Sequence, residues 1–203
     1  MTAKIRLHST LKSGHGHRVE LLLRALGLDY ERVDAPAPVR QSEAFAALNP
    51  LHQIPVLEDG ELVLADSTAI LVYLAKRYGD ASWLPEDAIG AALVQRWLSI
   101  AAGEVRYGPA NARGAVHFGF TIDEALAHET AKKLLAFMEQ HLAQRQYLAA
   151  EHPTIADLAC YAYVAHAPEG GVALAPYPAV CAWLKRIEAL PAFKPMAASP
   201  IPA

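Results

Sequence analysis

The chain has 203 residues, of which 53% are hydrophobic, and a formal net charge of −3 from 18 basic and 21 acidic side chains. This composition excludes a largely disordered chain, and the small negative charge gives no electrostatic basis for binding nucleic acid or an anionic membrane surface. Two isolated cysteines, Cys160 and Cys181, predict neither a disulfide framework nor a zinc site and suit a reducing compartment. Because the first residues lack an apolar leader and no apolar run reaches the roughly 18 residues of a membrane span, we expect an unprocessed, cytoplasmic protein with no membrane partner.

The chain opens with the pattern of a strand, a helix and a second strand. Residues 4–8 are the first strand candidate, and residues 30–34 are the second. Between them lies the apolar face of a helix that ends at Gly27. This face consists of Val19, Leu22, Leu23 and Leu26. Because a helix separates the two strands, we expect them to be parallel. Residues 40–48 fit either a short helix or irregular structure.

Two apolar runs separated by Asp59-Gly60 predict a β-hairpin, because this pair favours a two-residue type I′ turn. Pro55 stands before the first run. Since proline lacks an N–H, it is expected only at an edge, at the first residue of a strand or in a turn. Ser67 is a candidate N-cap for the next helix, whose apolar stripe ends at Gly79. The order βαβ then ββα is typical of a small α/β domain.

Residues 80–87 contain turn residues and a proline, and they predict a linker between a first domain over residues 1–79 and a second over residues 88–203. Strand-like alternation is absent beyond the linker, so we expect the second domain to be all-α. Its predicted helices cover residues 88–103, 122–144, 155–166 and 178–190. In the second of these, the residues expected to face the core are Leu126, Leu134, Leu135, Met138 and Leu142.

Four motifs occur in an order and spacing typical of one family. They are Ser13-Gly14-His15-Gly16-His17-Arg18-Val19, Asn49-Pro50-Leu51-His52-Gln53-Ile54-Pro55-Val56-Leu57, Asp66-Ser67 and Thr154-Ile155-Ala156-Asp157. The last motif also fits a helix capping box. Together they resemble the soluble glutathione transferase superfamily over nearly the whole chain, with a first motif similar to the serine-type theta and zeta classes. The resemblance implies a thioredoxin-like α/β domain, an all-α domain and a cis peptide bond before Pro55.

The resemblance also implies where glutathione binds. Ile54, held by Pro55, would pair its main chain with the cysteinyl backbone of the tripeptide, as an added strand does. Asp66 and Ser67 would hold the γ-glutamyl end. Independently of the resemblance, the first amides of a helix attract a carboxylate and Asp66 can pair with an ammonium, although both residues also fit an ordinary N-cap. The further candidates for contact with glutathione are His52, Gln53 and Arg40.

By the same resemblance, Ser13 occupies the place of the residue that activates the glutathione sulfur. A hydroxyl that donates to the sulfur stabilises the thiolate by about 1.5–3 kcal/mol, which is roughly one to two pKa units. Ser9 and Thr10 are rival hydroxyls, and Ser13 fits the N-cap of the first helix equally well. The first strand and its loop contain no tyrosine or cysteine, which argues against the classes that use those groups.

His15 and His17 form an H-x-H pair, but no carboxylate or cysteine cluster accompanies them, so we expect no metal site. The glycines beside them predict that the backbone approaches a ligand closely at the start of the helix. Within the family, the electrophile binds between the domains. Arg106 and Tyr107, next to a Gly-Pro break, are candidates for that pocket, and a kinked helix with solvated charges is the alternative.

The resemblance implies an enzyme, a homodimer that joins glutathione, as cosubstrate and with no other cofactor, to a small and largely apolar electrophile. Two alternatives remain open at this point. One is a glutathione-dependent reductase of disulfides or peroxides, which would use the same thiol. The other is a non-catalytic binding or assembly module, because a fold alone does not define a function.

Overall fold

The computed structural model describes residues 5–202. Within these residues, the N-terminal part contains four strands and four helices in the order expected for a thioredoxin-like domain. The strands are β1 (Ile5–Ser9), β2 (Tyr30–Asp34), β3 (Val56–Asp59) and β4 (Leu62–Ala65), and the helices are α1 (Gly14–Ala25), α2 (Ala37–Arg40), α3 (Glu43–Leu48) and α4 (Ser67–Tyr78). Lys4, which the sequence assigned to the first strand, lies outside the described residues.

The strands form one mixed sheet in the order β2-β1-β3-β4. β1 and β2 are parallel, as the intervening helix predicted, and β3 is antiparallel to both β1 and β4. The β2 bounds coincide with the predicted strand. Residues 40–48, for which two interpretations were open, contain the end of α2 and all of α3.

The hairpin between β3 and β4 is present, but its turn is displaced by one residue from the prediction. Asp59 pairs with Leu62, so the loop consists of Gly60 and Glu61 rather than Asp59 and Gly60. Only Gly60 has a positive φ, of 62°. A type I′ turn needs positive φ at both loop positions, whereas a type II′ turn needs it at the first alone. The prediction of a type I′ turn at Asp59-Gly60 was therefore wrong.

The C-terminal part is helical. Its α-helices are α5 (Ala88–Ala102), α6 (Asn111–Phe118), α7 (Glu124–Leu142), α8 (Ile155–Ala165) and α9 (Pro178–Glu188). Two short elements complete it, a π-helical stretch at Arg106–Ala110 and a 3₁₀ turn at Ala167–Gly170. The sequence predicted the four longer helices, but it did not predict α6 or the two short elements.

One hydrophobic core extends through both parts of the chain. It joins α1 and α4 of the N-terminal part to α5, α7, α8 and α9. Leu126, which was expected to face this core, is 58% exposed, whereas the other four residues predicted for α7 are buried. Ala127, the next residue, is buried in the same first turn, so the packed face of α7 begins one residue later than predicted and Leu126 lies beside that face.

The predicted capping box at the start of α8 is confirmed. Thr154 Oγ1 accepts from the Ala156 amide at 3.2 Å, and the Thr154 amide donates to Asp157 Oδ2 at 2.9 Å. Asp157 is fully buried, and its Oδ1 also accepts from the Leu148 amide and from Trp183 Nε1, each at 2.9 Å. The carboxylate therefore joins α8 to the preceding loop and to α9.

Among residues 5–202, no helix combines the length and the apolar character needed to cross a bilayer.

Candidate functional site

Strand register brings the chain segments of the first three sequence motifs to one edge of the sheet. His8 of β1 pairs with Val56 of β3, and Val56 pairs with Ala65 of β4. The loop after β1, the residues before β3 and the residues after β4 therefore lie side by side. The peptide bond between Ile54 and Pro55 is cis, as the resemblance implied.

Ser13 caps α1 at this edge. Its Oγ accepts from the Gly16 amide at 3.1 Å, which leaves the hydroxyl hydrogen free to donate to another group. Ser9 is fully buried, and its hydroxyl faces the Thr10 carbonyl at 3.4 Å. Burial therefore weakens the case for Ser9 as the activating hydroxyl, whereas Thr10 is partly exposed and remains a rival of Ser13.

The two glycines that flank His15 make room for side chains of the protein itself. A Cβ on Gly14 would lie 2.7 Å from Tyr163 Cζ of α8, and a Cβ on Gly16 would overlap the Ser9 hydroxyl and lie 2.8 Å from Ser9 Cβ. The prediction that these glycines admit a ligand is not supported by these contacts, because internal packing accounts for both positions.

This packing predicts the effect of Gly16→Ala. The added methyl overlaps a buried serine on β1, and overpacking of this kind typically costs about 1–3 kcal/mol. Ser9→Gly removes both overlapping atoms, so Gly16→Ala should cost markedly less in that background. Urea unfolding of the two single variants and the double variant would measure the coupling. Equal losses in the two backgrounds would contradict the contact.

α4 begins at the same edge, but its cap is Asp66 rather than Ser67. Asp66 has a φ of 71°, and its Oδ1 accepts from the amides of Thr68 and Ala69 at 2.8 and 2.9 Å. The prediction that Ser67 caps this helix was wrong, and two of the amides expected to bind an anion already have an acceptor. Asp66 Oδ2 accepts no hydrogen bond within residues 5–202, so it can still receive an ammonium.

Burial tends to raise the pKa of Asp66, but the Thr68 hydroxyl, the two amides and the Arg18 charge outweigh it and lower that pKa. Asp66 is therefore ionised at neutral pH.

The hydroxyl of Ser67 contacts a buried cation. Arg18 of α1 is 1% exposed, and its Nη1 donates to Ser67 Oγ at 3.2 Å. Arg18 Nε and Nη2 have no acceptor in the part of the chain that the structure describes. Burial lowers the pKa of Arg18, while Tyr163, Cys160 and Asp66 act in the opposite direction. Because Ser67 Oγ accepts from Arg18, its own hydrogen is available to an acceptor, either the nearby His15 Nδ1 at 3.4 Å or the carboxylate of a ligand.

His15 and His17 lie on different sides of α1. His15 Nδ1 is 3.4 Å from Ser67 Oγ, and the ring meets that of Tyr163 edge-on with centroids 4.9 Å apart. Burial and then the charges of Arg18 and Arg106 hold the pKa of His15 well below its usual value, so the imidazole is neutral.

His17 contacts the Lys194 carbonyl at 2.8 Å. Burial, partly opposed by that contact, lowers the pKa of His17 to about 4. Within residues 5–202 no group of three or more histidine, cysteine, aspartate and glutamate side chains could hold a metal ion.

The other predicted contacts for glutathione lie between α2 and β3. His52 has a φ of 55°, and its Nδ1 contacts the Arg40 carbonyl at 2.6 Å, so these two residues are neighbours. The Gln53 carbonyl accepts from Asn49 Nδ2 at 2.9 Å, while the Gln53 side chain is exposed. Ile54 is partly buried and directly precedes the cis bond.

The Gly-Pro break after α5 is a continuous helical segment rather than a loop. Arg106 lies in the π-helical stretch, contacts Asn111 through Nη1, and is close enough to His15 to lower its pKa. Tyr107 is 62% exposed. The guanidinium of Arg106 lies 5.9 Å from the ring centroid of Phe120, and the guanidinium of Arg113 lies 5.1 Å from that of Phe118. Phe120 therefore lies beside the predicted pocket residue Arg106, and the Phe118 ring lies 6.2 Å from that of Phe120.

Arg18 and Tyr163 are the site residues whose contacts sequence reasoning missed. A signal for Arg18 was present, because it is a charged residue beside Val19 on the buried face of an amphipathic helix, and a buried cation requires partners. Tyr163 gave no such signal, because an aromatic residue in an apolar helix is ordinary core.

The fold places the chain in a class of protein in which a thioredoxin-like domain precedes an all-helical domain. The model of the glutathione S-transferase N-terminal domain matches residues 13–77, and that of the C-terminal domain matches residues 121–191. The chain is 36% identical to glutathione S-transferase 3 of Zea mays, over 98% of this chain and 96% of that relative. It belongs to the glutathione transferase superfamily.

Solved structures agree with this membership. The crystal structure of a glutathione S-transferase from Pseudomonas fluorescens Pf-5 is 33% identical, with a TM-score of 0.88 over 96% of this chain and 99% of that one. A glutathione transferase homologue from Drosophila mojavensis, solved with bound glutathione, is 32% identical, with a TM-score of 0.82 over 94% and 90% of the two chains.

Proposed function

We propose that this protein is a glutathione transferase in which the thiolate of glutathione attacks a small, largely apolar electrophile. The observation that carries the proposal is the buried Arg18 beneath Ser67, at the start of α4. This cation forms no salt bridge within residues 5–202, and together with the helix N-terminus it suits the carboxylate of the γ-glutamyl group.

Glutathione lies along the edge of the sheet in this proposal. Ser67 donates to the γ-glutamyl carboxylate and Asp66 Oδ2 receives the ammonium. The main chain of Ile54, before Pro55, pairs with the cysteinyl residue. Gln53, His52 and Arg40 face the glycyl end, where a cationic or amide group suits a carboxylate.

Ser13 stabilises the sulfur. Its Oγ already accepts from the Gly16 amide, so its hydrogen is available to the thiolate, and the positive end of α1 adds to the same effect. The thiol proton leaves to solvent, the sulfur forms a bond to an electrophilic carbon, and the electron pair displaced at that carbon goes to the leaving group or into the conjugated system. The electrophile lies beside Arg106 and Tyr107, with Phe118 and Phe120 as an aromatic wall.

Calorimetric titration with glutathione, followed by parallel assays of conjugation to a chloronitroarene and of disulfide reduction, tests this function. We expect binding and conjugation. Reduction without conjugation would support the reductase instead, and an absence of binding at millimolar glutathione would reject both enzymes.

Arg18→Met is expected to weaken glutathione binding about tenfold, because a charge that acts through one hydrogen bond contributes about 1–2 kcal/mol. A buried charge is costly to desolvate, so replacing the guanidinium by an apolar side chain of similar length need not destabilise the fold. Arg18→Lys retains the charge and is the matched variant. Cysteinylglycine, which lacks the γ-glutamyl group, should bind both variants and the parent equally. An equal loss for both ligands would contradict the assignment.

A pair of chains in solution is part of the proposal. Ile89 and Leu93 on α5 are exposed apolar residues, and the groove between α5 and α7 offers a surface for a second copy. Analytical ultracentrifugation at micromolar concentration tests for the dimer.

Cys160 and Cys181 are both free thiols, which supports a cytoplasmic location.

A further inference from the structure

A buried carboxylate outside the proposed site connects several distant segments of the chain. Glu169, in the 3₁₀ turn after α8, is 4% exposed. Its Oε2 accepts from Arg113 Nε at 2.5 Å. Its Oε1 contacts His166 Nδ1 at 2.6 Å and accepts from the Ser199 amide at 2.9 Å. One side chain therefore joins α6, the end of α8 and the C-terminal segment.

Glu169 is ionised in this setting. Burial opposes its charge, but the hydrogen bonds from Arg113, the Ser199 amide and His166 outweigh that effect and lower the pKa of Glu169 to about 2. The carboxylate and the guanidinium are thus a charged pair at neutral pH, and the hydrogen bond between them is charge-assisted.

Arg113 extends this connection to the loop that carries Ser13. Arg113 is 1% exposed, and its Nη1 donates to the Lys12 carbonyl at 2.9 Å. Lys12 directly precedes Ser13, and the side chains of Leu11 and Lys12 are exposed, so burial of these side chains does not hold the loop. The Ser199 amide, Glu169, Arg113 and the Lys12 carbonyl form one chain of contacts.

We propose that Arg113 and Glu169 are positioning residues that hold the Ser13 loop at the geometry needed to stabilise the thiolate, and that the C-terminal segment sets this geometry through its Ser199 amide. The inference rests on the proposed function, because it assigns a supporting pair to the hydroxyl named there. A hydroxyl displaced by about 0.5–1 Å loses much of its effect on the sulfur, so a buried and rigid support matters.

The Ser199 amide can be removed without altering Arg113 or Glu169. Ser199→Pro lacks the N–H, whereas the matched variant Ser199→Ala keeps it and removes a hydroxyl that has no partner within residues 5–202. We expect Ser199→Pro to raise the thiol pKa of bound glutathione by about half a unit to one unit, measured by the pH dependence of thiolate absorbance. The kcat at pH 6.5 should fall about three- to tenfold, and the KM for glutathione should change by less than about twofold. Ser199→Ala should match the parent.

Glu169→Gln provides a second test that does not depend on the proline. The amide has nearly the same shape but loses the charge, so the thiol pKa should again rise. Arg113→Lys keeps the charge, but a single ammonium cannot reproduce both contacts of the guanidinium, from Nε to Glu169 and from Nη1 to the Lys12 carbonyl. This variant should therefore give an intermediate thiol pKa. A thiol pKa unchanged in folded, glutathione-binding Ser199→Pro or Glu169→Gln would overturn the inference.

Ser13→Ala separates this inference from the proposed function. If Ser13→Ala leaves the thiol pKa unchanged, the assigned role of Ser13 fails, and the positioning role fails with it. If Ser13→Ala raises the thiol pKa while Ser199→Pro and Glu169→Gln do not, the proposed function stands and only the positioning pair is rejected.

Discussion

Replacing Ser13 by alanine is expected to raise the thiol pKa of bound glutathione by about one to two units. The thiolate then loses one charge-assisted hydrogen bond, while the amides at the start of α1 remain. Near pH 6.5 the thiolate fraction, and with it kcat/KM for conjugation, should fall about 10- to 50-fold. The affinity for glutathione should change little, because the proposed contact of Ser13 is with the sulfur and with no other part of the tripeptide.

The loss of activity in Ser13→Ala should depend on pH in one direction. Above the raised pKa of the variant, both enzymes hold the thiolate, so the loss should shrink as pH rises toward 9 or above. Thr10→Val is the matched control, because Thr10 is the partly exposed rival hydroxyl. If Thr10→Val shows the pH-dependent loss and Ser13→Ala does not, Thr10 is the activating residue. A loss of activity that is constant with pH would argue against thiolate stabilisation by Ser13.

Asp157→Ala is expected to lower the free energy of unfolding by about 4 kcal/mol or more. The substitution leaves the amides of Leu148 and Thr154 and the indole N–H of Trp183 without an acceptor in a buried region. Each buried donor without a partner costs about 1–3 kcal/mol. For a chain of this length, the expected decrease in Tm is about 8–16 °C, measured by scanning calorimetry or circular dichroism.

Asp123→Ala is the matched control for this stability effect. It removes the same chemical group from the N-cap of α7, where the carboxylate is exposed and accepts from the Leu126 amide at 3.0 Å. An exposed cap of this kind contributes about 1 kcal/mol. Asp157→Asn should lie between the two, because its oxygen can still accept from Leu148 and Trp183. Similar losses for Asp157→Ala and Asp123→Ala would show that the buried contacts contribute little.

Local patterns predicted most of the fold. The β2 strand, the parallel pairing and the capping box at Thr154 depend on residues close together in the sequence, and each is confirmed. α6 was missed because Gly108-Pro109 usually ends a helix. Here the backbone around Pro109 widens into a π-helical stretch, and Gly108 lies against the main chain of Ala131 on α7. That contact between distant segments gives no signal in either segment alone.

The candidate site was likewise predicted only in part, because its local motifs were recognised and its long-range contacts were not. The motifs at Ser13, Pro55 and Asp66 were recognised, and strand register alone brings them to one edge. The sequence could not show that Asp66 rather than Ser67 caps α4, because both residue types are good N-caps. The non-helical backbone of Asp66, with its positive φ, makes it the cap. The contacts of Arg18 with Ser67 and of Arg113 with Glu169 join residues about fifty positions apart in the chain. No local pattern in the sequence indicates that residues so far apart are in contact.

The contact between Gly14 and the ring of Tyr163 has a consequence for recombination among relatives. Gly14 is the first residue of α1, and Tyr163 belongs to α8 of the other half of the chain. A chimera that takes its first half from this protein and its second half from a relative would inherit only one side of this contact. Hybrid proteins should therefore keep positions 14 and 163 from the same parent, even though the boundary between the halves lies far from both in the sequence.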